Sequence, residues 1–397
     1  MGDFLSAPNK SKESSDGQND FLKFGSSAMQ GWRYRMEDSH LHQLNNNNQY
    51  DIFGVFDGHG GKEVSQFVKN HFIKEFMNNQ NTKYENISNA LIETFLKMDE
   101  LMLTKNGKEE LSKLNALSKK EDDEQDKRNK KNKEQDFYKY LDPKNSEDCD
   151  IATITGCTAC VVVVDHKSKK IYFANAGDSR AVICKKGIAY QMSHDHKPDS
   201  AKEKNRIYKC GGWVGEGRIK GNLNLSRSLG DFEYKQDKNL SPKDQMITAY
   251  PEINIEILDE SCEFIILACD GIWDCLTPQE ACDYVKEKLN NENKNNKISK
   301  IVEEITNNLL NTIKKLQKEN EQTKKKYDKY QKNGEIKKKF FENQIKNLYK
   351  KDSQSMKKIN KKNDEISKLK ADLINLKNKY DEEINNLKNE HENLNLN

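Results

Sequence analysis

The sequence predicts a globular domain that combines buried β-strands with α-helices, carries one charged insertion and is followed by a polar, helical tail. The first observation is the uneven composition: residues 21–103 and 151–290 hold most of the aromatic residues, glycines and β-branched runs. The second is a set of short apolar runs, each ending at an aspartate beside a glycine. The third is a helical spacing of apolar residues from Ile301 to Leu310, at the end of the globular part.

The overall composition excludes several classes of protein. Apolar residues make up 34% and charged residues 33% of the 397, so much of the chain cannot be packed core. The 67 basic and 64 acidic residues leave a net charge of +3, which predicts no nucleic-acid partner. No apolar run approaches the roughly 20 residues of a membrane span. Nine scattered cysteines fit a reducing compartment, so we expect a cytoplasmic protein, with nuclear or membrane-associated localisation as alternatives.

Residues 1–20 are expected to form a disordered N-terminus. The opening "MGDFLS" matches the loose myristoylation pattern, with Gly2 as the acceptor and Ser6 in place, although Asp3 is an unfavourable neighbour for the acceptor. A single acyl chain supports only weak and reversible membrane binding. Membrane association through Gly2 is therefore an expectation that depends on acylation.

The segment "DIFGVFDGHGG" begins as a buried strand and ends in polar residues and glycines. Its apolar residues are Ile52, Phe53, Val55 and Phe56. The chain then runs directly into Asp57, Gly58 and His59. Burying an unpaired charge is costly, so Asp57 must meet a cation, hydrogen-bond donors or solvent at the strand end.

The same pattern recurs twice further along the chain. The run 171–176 ends in Gly177-Asp178, and the run 264–269 ends in Asp270-Gly271, with Asp274 four residues after Asp270. A single Asp-Gly pair is typical of a β-turn, but three strands with this ending are harder to explain as turns. Just before the first strand, "GWRYRMEDSH" adds Arg33, Glu37 and Asp38.

Convergence of these strand ends would place four or five carboxylates in a small volume, which requires a counter-charge. An all-oxygen ligand set favours the hard ions Mg²⁺ or Mn²⁺ over zinc, and the carbonyl of Gly58 is a further candidate ligand. Two ions bridged by Asp57 could hold and deprotonate a water, while Arg33 clamps a phosphate. His59 is then placed to protonate the leaving oxygen; the alternative is a hydrogen-bonded turn histidine. The pattern predicts a metal-assisted phosphate hydrolase.

Seven ordered motifs resemble those of the metal-dependent, type 2C Ser/Thr protein phosphatases. They are "RYRMED", "FGVFDGHGG", "TGCTA", "NAGDSRAV", "DHKP", "GNLNLSRSLGDF" and "FIILACDGIWD". The resemblance covers residues 21–310 apart from an insertion at about 104–149. It implies the α/β (α+β) class: a four-layer sandwich of two antiparallel sheets flanked by helices, with a two-metal site at one edge. The implied reaction is attack of a metal-bridged water on phosphoserine or phosphothreonine in phosphoprotein substrates.

The resemblance also assigns roles to individual residues. It implies Asp57 as the bridging ligand, with Glu37 and the Gly58 carbonyl on one ion and Asp270 on the other. The catalytic residues are then Arg33, which binds the phosphate, Asp38, which orients water, and His59. Asp178, Asp274 and Asp270 resemble a weaker third metal site, and Thr158 resembles a supporting residue. Residues 195–214 fall where the family carries a flap beside the active site.

The C-terminal part departs from the family pattern. No Asp-Asn-Met and no apolar strand follow Leu310, so one metal ligand is expected to be missing. Residues 311–397 instead show helical spacing, with an a/d heptad from Ile366 to Leu394. This tail is either a coiled coil for oligomerisation or partner docking, or a solvated single helix. Residues 118–136 of the insertion are expected to be a flexible charged loop, with partner docking as an alternative.

The sequence therefore allows three interpretations. The first is an active Mg²⁺- or Mn²⁺-dependent protein phosphatase, which the retained acids and Arg33 favour. The second is a weakly active or inactive phosphatase-like domain that binds phosphoproteins and recruits partners through a coiled coil, which the missing ligand favours. The third is an incomplete or mis-joined gene product beyond residue 310.

Overall fold

The computed structural model describes residues 4–44, 49–129, 150–291 and 297–332. The chain divides into two compact units. The larger unit contains residues 18–21 and 35–269, and the smaller contains the described parts of residues 1–17, 22–34 and 270–397.

The strands and helices follow in chain order. The strands are β1 (Phe4–Gln18), β2 (Lys23–Arg33), β3 (Ser39–Gln43), β4 (Tyr50–Phe56), β5 (Gly58–His59), β6 (Gly156–Cys157), β7 (Ala159–Asp165), β8 (Lys170–Ala176), β9 (Arg180–Lys185), β10 (Ile188–Gln191), β11 (Val214–Gly215), β12 (Arg218–Ile219), β13 (Leu229–Gly230), β14 (Glu252–Ile257) and β15 (Cys262–Ala268). The helices are α1 (Glu63–Asn78), α2 (Gln80–Lys83), α3 (Ile87–Leu103), α4 (Lys105–Asn129), α5 (Ile151–Ile154), α6 (Ala201–Lys209), α7 (Asp270–Trp273), α8 (Pro278–Asn291) and α9 (Ile298–Lys332).

The larger unit is built on an antiparallel five-stranded sheet in the order β14-β8-β7-β4-β3. The two central strands read "ACVVVVD" and "KIYFANA", and their β-branched and aromatic residues suit a sheet that is covered on both faces. The register pairs Ile52 of β4 with Val163 of β7 and fixes where β4 ends. Residues at the end of β4 are therefore held by the middle of the sheet.

Helices α1 and α3 cover one face of this sheet. Their apolar residues recur at helical spacing, and Asn86 caps α3 by accepting a hydrogen bond from the Asn89 backbone N–H. Phe72 of α1 packs edge-on against Phe95 of α3 and also lies against Phe56 of β4. All three rings are fully buried, so the helices anchor the strand that leads to Asp57.

A second antiparallel sheet, in the order β10-β9-β15, lies on the other face, where β9 contacts β7 and β15 contacts β4. The larger unit therefore has three layers, helices, sheet and sheet, of the four that the predicted sandwich contains. A smaller sheet in the order β13-β6-β5 continues from the end of β4. This arrangement places the ends of several strands at one edge.

The insertion differs from the expected flexible charged loop. Residues 105–129 form the helix α4, which packs against α1 and α3. The prediction was wrong for residues 118–129 because it weighed the charged residues and not the apolar ones: Leu111 is buried and Leu114 packs on the core. Ion pairs extend the contact, including Arg35 with Asp122 at 2.6 Å. The remainder of the insertion, 130–149, lies outside the described residues.

The smaller unit corrects the expected disorder of residues 1–20. The strand β1 pairs with β2, so its backbone hydrogen bonds are satisfied despite a polar sequence. Asp16 accepts hydrogen bonds from the backbone N–H and the hydroxyl of Ser299 at 2.8 and 2.6 Å, at the start of α9. Within the larger unit, Asn19 donates to the buried carboxylate of Asp51. Tertiary partners of this kind cannot be read from local composition.

The helix α9 packs against β2 within the smaller unit and buries Ile301, Ile305 and Leu309. It runs to Lys332 and is helical where the family pattern would place a final strand. The heptads from Ile366 to Leu394 lie outside the described residues, so the coiled coil stays a prediction. Among the described helices, none has the length and the hydropathy required to span a bilayer.

Candidate metal centre and active site

Asp57 stands at the point where the five-stranded sheet gives way to the small sheet. Its backbone N–H donates to the Thr158 hydroxyl at 3.1 Å, and its carbonyl accepts from the Thr158 N–H at 2.9 Å. The Thr158 hydroxyl in turn lies 2.8 Å from that of Ser179. Thr158 is buried, so it fixes the backbone of Asp57 in the supporting role that the sequence suggested.

Two of the predicted metal ligands lie close together in the larger unit and form an acidic group. A carboxylate oxygen of Asp57 and one of Asp178 lie within 4.8 Å of each other, and Asp178 is buried. Asp270 follows the strand β15 after one residue, Cys269, and is also buried. Like charges as close as those of Asp57 and Asp178 need a cation, and carboxylates are the oxygen ligands that hard divalent ions prefer.

A lysine of the flap region contacts this group. Lys197, in the "DHKP" motif, forms an ion pair with Asp178. The lysine side chain is 43% exposed, whereas the aspartate side chain is 1% exposed. Lys197 therefore places one positive charge beside the carboxylate of Asp178.

Glu37 and Gly58 are brought together at the level of the backbone. A Cβ added to Gly58 would lie 2.3 Å from the Glu37 carbonyl oxygen, so only glycine allows this approach. The Ser65 hydroxyl donates to the same carbonyl at 2.6 Å. Asp38 follows Glu37 directly and precedes β3, which pairs with β4. The segment carrying both acids is therefore held beside the residues that follow Asp57.

The other predicted residues belong to the smaller unit. Arg33 ends the strand β2, and Gln30 donates through its side-chain amide to the carbonyls of Arg33 at 2.8 Å and Tyr34 at 2.9 Å. Asp274 follows α7, and its N–H donates to the carbonyl of Asp270 at 2.9 Å. This bond closes one helical turn, and residues four apart share a helix face.

His59 is paired with a carboxylate that sequence reasoning did not select. Its Nε2 lies 2.9 and 2.7 Å from the two carboxylate oxygens of Asp231, in the segment "GNLNLSRSLGDF". Burial lowers the pKa of His59, but the negative charge of Asp231, with that of Asp57 and Glu37, outweighs burial and raises it. Burial raises the pKa of Asp231, and the histidine charge and hydrogen bonds lower it below its usual range. The sequence signal that could have identified Asp231 was an aspartate beside a glycine within a recognised motif.

A second buried acidic centre lies in the larger unit around Glu203 of α6. Its carboxylate accepts hydrogen bonds from Arg206 at 2.6 Å, from Arg227 at 2.7 Å and from the Ser226 hydroxyl at 2.8 Å. Burial raises the pKa of Glu203, but hydrogen bonding to Arg227 and the charges of both arginines lower it to about 2. The two guanidinium groups neutralise this carboxylate within the protein, so it links the helix α6 to the loop that carries Asp231.

Comparison with known proteins agrees with the motifs. The family described as "Protein phosphatase 2C" matches residues 22–117 and 107–311. Probable protein phosphatase 2C 4 of Paramecium tetraurelia is 42% identical over 311 residues, which is 78% of this chain and 92% of that protein. Probable protein phosphatase 2C 21 of Arabidopsis thaliana is 41% identical over 314 residues, which is 78% of this chain and 87% of that protein.

A solved structure supports the same fold. A C. elegans sex determining protein aligns with a TM-score of 0.51 at 19% identity, covering 77% of this chain and 62% of that one. The sequence relatives extend the likeness to the activity, which is metal-dependent dephosphorylation of serine and threonine in proteins. They do not favour a domain that only binds phosphoproteins. The chain belongs to the protein phosphatase 2C family.

Proposed function

We propose that this phosphatase works through the residues that the motifs and the acidic group single out. Glu37, Asp57, the Gly58 carbonyl and Asp270 hold two divalent ions, and Asp178 and Asp274 contribute with Asp270 to a third, weaker site. Asp38 orients the water, Arg33 binds the phosphate and His59 protonates the leaving group. The observation that carries the proposal is the close approach of the Asp57 and Asp178 carboxylates, within 4.8 Å of each other.

The donor set supports Mg²⁺ or Mn²⁺ as the ions. Carboxylate oxygens and a backbone carbonyl are hard ligands, and no histidine or thiol joins the acidic group among the described residues. When bound, such ions supply charge neutralisation and a water acidic enough to attack phosphorus near neutral pH. The protein's contribution is to fix the carboxylates on the ends of a covered sheet.

His59 is the proposed proton donor to the departing oxygen. Its imidazole is held by Asp231, and its side chain is 26% exposed, so it is accessible from solvent. A serine or threonine alkoxide is a poor leaving group and needs a proton, whereas a nitrophenolate does not. The role of His59 therefore predicts a dependence on the leaving group.

Arg33 is the proposed phosphate ligand because a guanidinium presents two parallel donors to a phosphate. This assignment rests on the "RYRMED" motif. Phosphoproteins are the substrates that family membership indicates. Weak membrane association through acylated Gly2, and oligomerisation or partner docking through the tail, are separate proposals that rest on sequence pattern alone.

The test is hydrolysis of a phosphothreonine peptide by the full chain across titrations of Mg²⁺ and Mn²⁺, with EDTA as the control. We expect hydrolysis that EDTA abolishes and excess Mn²⁺ restores. Because the expected Asp-Asn-Met ligand is absent from the sequence, we expect low activity at physiological Mg²⁺ and half-maximal activity only at millimolar Mn²⁺. Hydrolysis that persists in EDTA would contradict the proposal.

A further inference from the structure

The pair of half-buried His59 and buried Asp231 extends the site beyond the residues assigned so far. We propose that Asp231 is a positioning residue, which holds Nε2 of the His59 ring and so leaves Nδ1 as the nitrogen that gives its proton to the departing oxygen. The inference rests on the proposed role of His59. Asp231 itself touches neither phosphate nor metal in this proposal.

The geometry assigns the two ring nitrogens different tasks. Nε2 lies within 2.9 Å of both carboxylate oxygens of Asp231, so it carries a hydrogen and donates to the carboxylate. Among the described residues, none forms a hydrogen bond with Nδ1 of His59. Nδ1 is therefore the nitrogen available to a substrate: the protonated ring gives its Nδ1 hydrogen to the departing oxygen and is left as the neutral tautomer with its hydrogen on Nε2. Asp231 determines that the proton leaves from this nitrogen.

The surroundings prevent the pair from adopting another arrangement. Asp231 has a left-handed backbone (φ 53°), which is uncommon for a residue with a side chain, and its N–H donates to the Thr155 carbonyl at 3.0 Å. Its carboxylate also accepts from the Ser228 hydroxyl. A Cβ added to Gly156 would lie 2.2 Å from a carboxylate oxygen of Asp231 and 2.7 Å from Nε2 of His59. The glycine leaves room for this one geometry.

A neighbouring buried acid provides a matched control. Asp99 accepts from the N–H of Gly230, the residue before Asp231, at 2.9 Å and from the Lys235 ammonium at 2.6 Å. It supports the same loop but makes no hydrogen bond with His59. If Asp231 merely stabilised the loop, removing the charge of either aspartate would have similar consequences for catalysis.

The first measurement detects which nitrogen of the His59 ring carries the hydrogen, and it does not require the protein to hydrolyse a substrate. In protein with ¹⁵N-labelled histidine, at a pH high enough for the His59 ring to be neutral, we expect the His59 nitrogens to report a hydrogen on Nε2 in the wild type and in Asp99→Asn. In Asp231→Asn the side-chain amide can donate to Nε2, which favours the opposite tautomer of the neutral ring. A neutral ring with its hydrogen on Nδ1 in the wild type, or an unchanged tautomer in Asp231→Asn, would overturn the proposal even if the chain hydrolysed nothing.

The second measurement compares leaving groups at saturating Mn²⁺. We expect Asp231→Asn to lower kcat for the phosphothreonine peptide at least tenfold more than kcat for 4-nitrophenyl phosphate, whereas Asp99→Asn lowers both equally. In a His59→Gln background, Asp231→Asn should not change the ratio of the two kcat values any further. Equal slowing of the two substrates by Asp231→Asn would show a structural role only. Failure of the wild type to hydrolyse either substrate counts against the proposed function, and the tautomer measurement then decides the role of Asp231.

Discussion

The larger unit contains two buried acidic centres that differ in how their charge is balanced. Glu203 is surrounded by the guanidinium groups of Arg206 and Arg227, which bind it from within the protein. Asp57 and Asp178 lie within 4.8 Å of each other, and Lys197 pairs with Asp178 from a partly exposed position. In one centre a carboxylate is enclosed by two arginines, whereas in the other two carboxylates face each other closely enough to share a divalent cation.

The difference shows how burial of acids can serve stability or function. A carboxylate held by two arginines has its charge neutralised within the protein, and its role is to join chain segments. Carboxylates that lie this close repel one another, and a divalent ion relieves the repulsion, so they favour binding of that ion. The comparison predicts that substitutions in the two centres have opposite signatures: loss of turnover in one and loss of stability in the other.

The largest expected effect is loss of hydrolysis on substitution of Asp57. Asp57→Asn keeps the shape of the side chain and the two backbone hydrogen bonds with Thr158 but removes a charge that the ions require. We expect no measurable turnover at any Mn²⁺ concentration and a urea unfolding midpoint at or above that of the wild type. Phosphopeptide hydrolysis and urea unfolding measure the two effects. Retention of most of the wild-type rate at saturating Mn²⁺ would refute the bridging role.

Substitution of Glu203 should produce the reverse signature. Glu203→Gln leaves two buried guanidinium groups without a counter-charge, which costs about 3–5 kcal/mol of unfolding free energy. The metal concentration for half-maximal activity should change little while the protein stays folded. Equilibrium urea unfolding is the measurement, and Glu216→Gln, an exposed acid in the same region, is the control. Equal unfolding free energies for the two variants would remove Glu203 from the stabilising network.

The pH dependence of stability sharpens the comparison. Because the pKa of Glu203 is about 2 in the folded protein against 4.5 as its ordinary value, its contribution is complete above pH 4.5 and is lost as the pH falls toward 2. The full contribution corresponds to about 3 kcal/mol. We expect the stability difference between wild type and Glu203→Gln to stay nearly constant from pH 6 to about pH 5 and to narrow from there to pH 3. A difference that stays constant over this range would show that the carboxylate is not the source of the stabilisation.

The smallest effect is expected at Lys197. Lys197→Met removes the ammonium that competes with metal for Asp178, and exposed ion pairs contribute up to about 1 kcal/mol. We therefore expect the Mn²⁺ concentration for half-maximal activity to fall by about two- to fivefold. Lys202→Met, at an exposed position in α6, provides the control. A rise in the required Mn²⁺ would mean that Lys197 supports metal binding.

Sequence patterns located much of the acidic group because each acid follows a local signal. An apolar run, an aspartate and a glycine mark Asp57 and Asp270, and the mirrored order marks Asp178. Strand ends at one edge of a sandwich then bring distant acids together. The same reasoning could not find Asp231 as the partner of His59, because that pairing joins residues 172 positions apart and depends on a left-handed backbone in a loop.

The secondary structure was predictable from the sequence where an apolar pattern marks the element. It was not predictable where contacts with distant parts of the chain stabilise the element. The strands β4, β8 and β15 match their apolar runs. The helix α4 and the strand β1 were missed because polar and charged residues dominate their sequences. Burial of Leu111 stabilises α4, and pairing with β2 stabilises β1. Neither contribution is visible in the local composition.

The thiols at the centre of the fold have a consequence for redox chemistry. Burial raises the pKa of Cys157, and it raises the pKa of Cys160 to about 12, so the reactive thiolate is very scarce at neutral pH. Both side chains are fully buried beside the strands that position Asp57. Peroxide and alkylating agents act on accessible thiolates, and these two positions offer none. A hydrolytic centre built from carboxylates on such strands is protected from oxidation at these positions by the same packing that holds it in place.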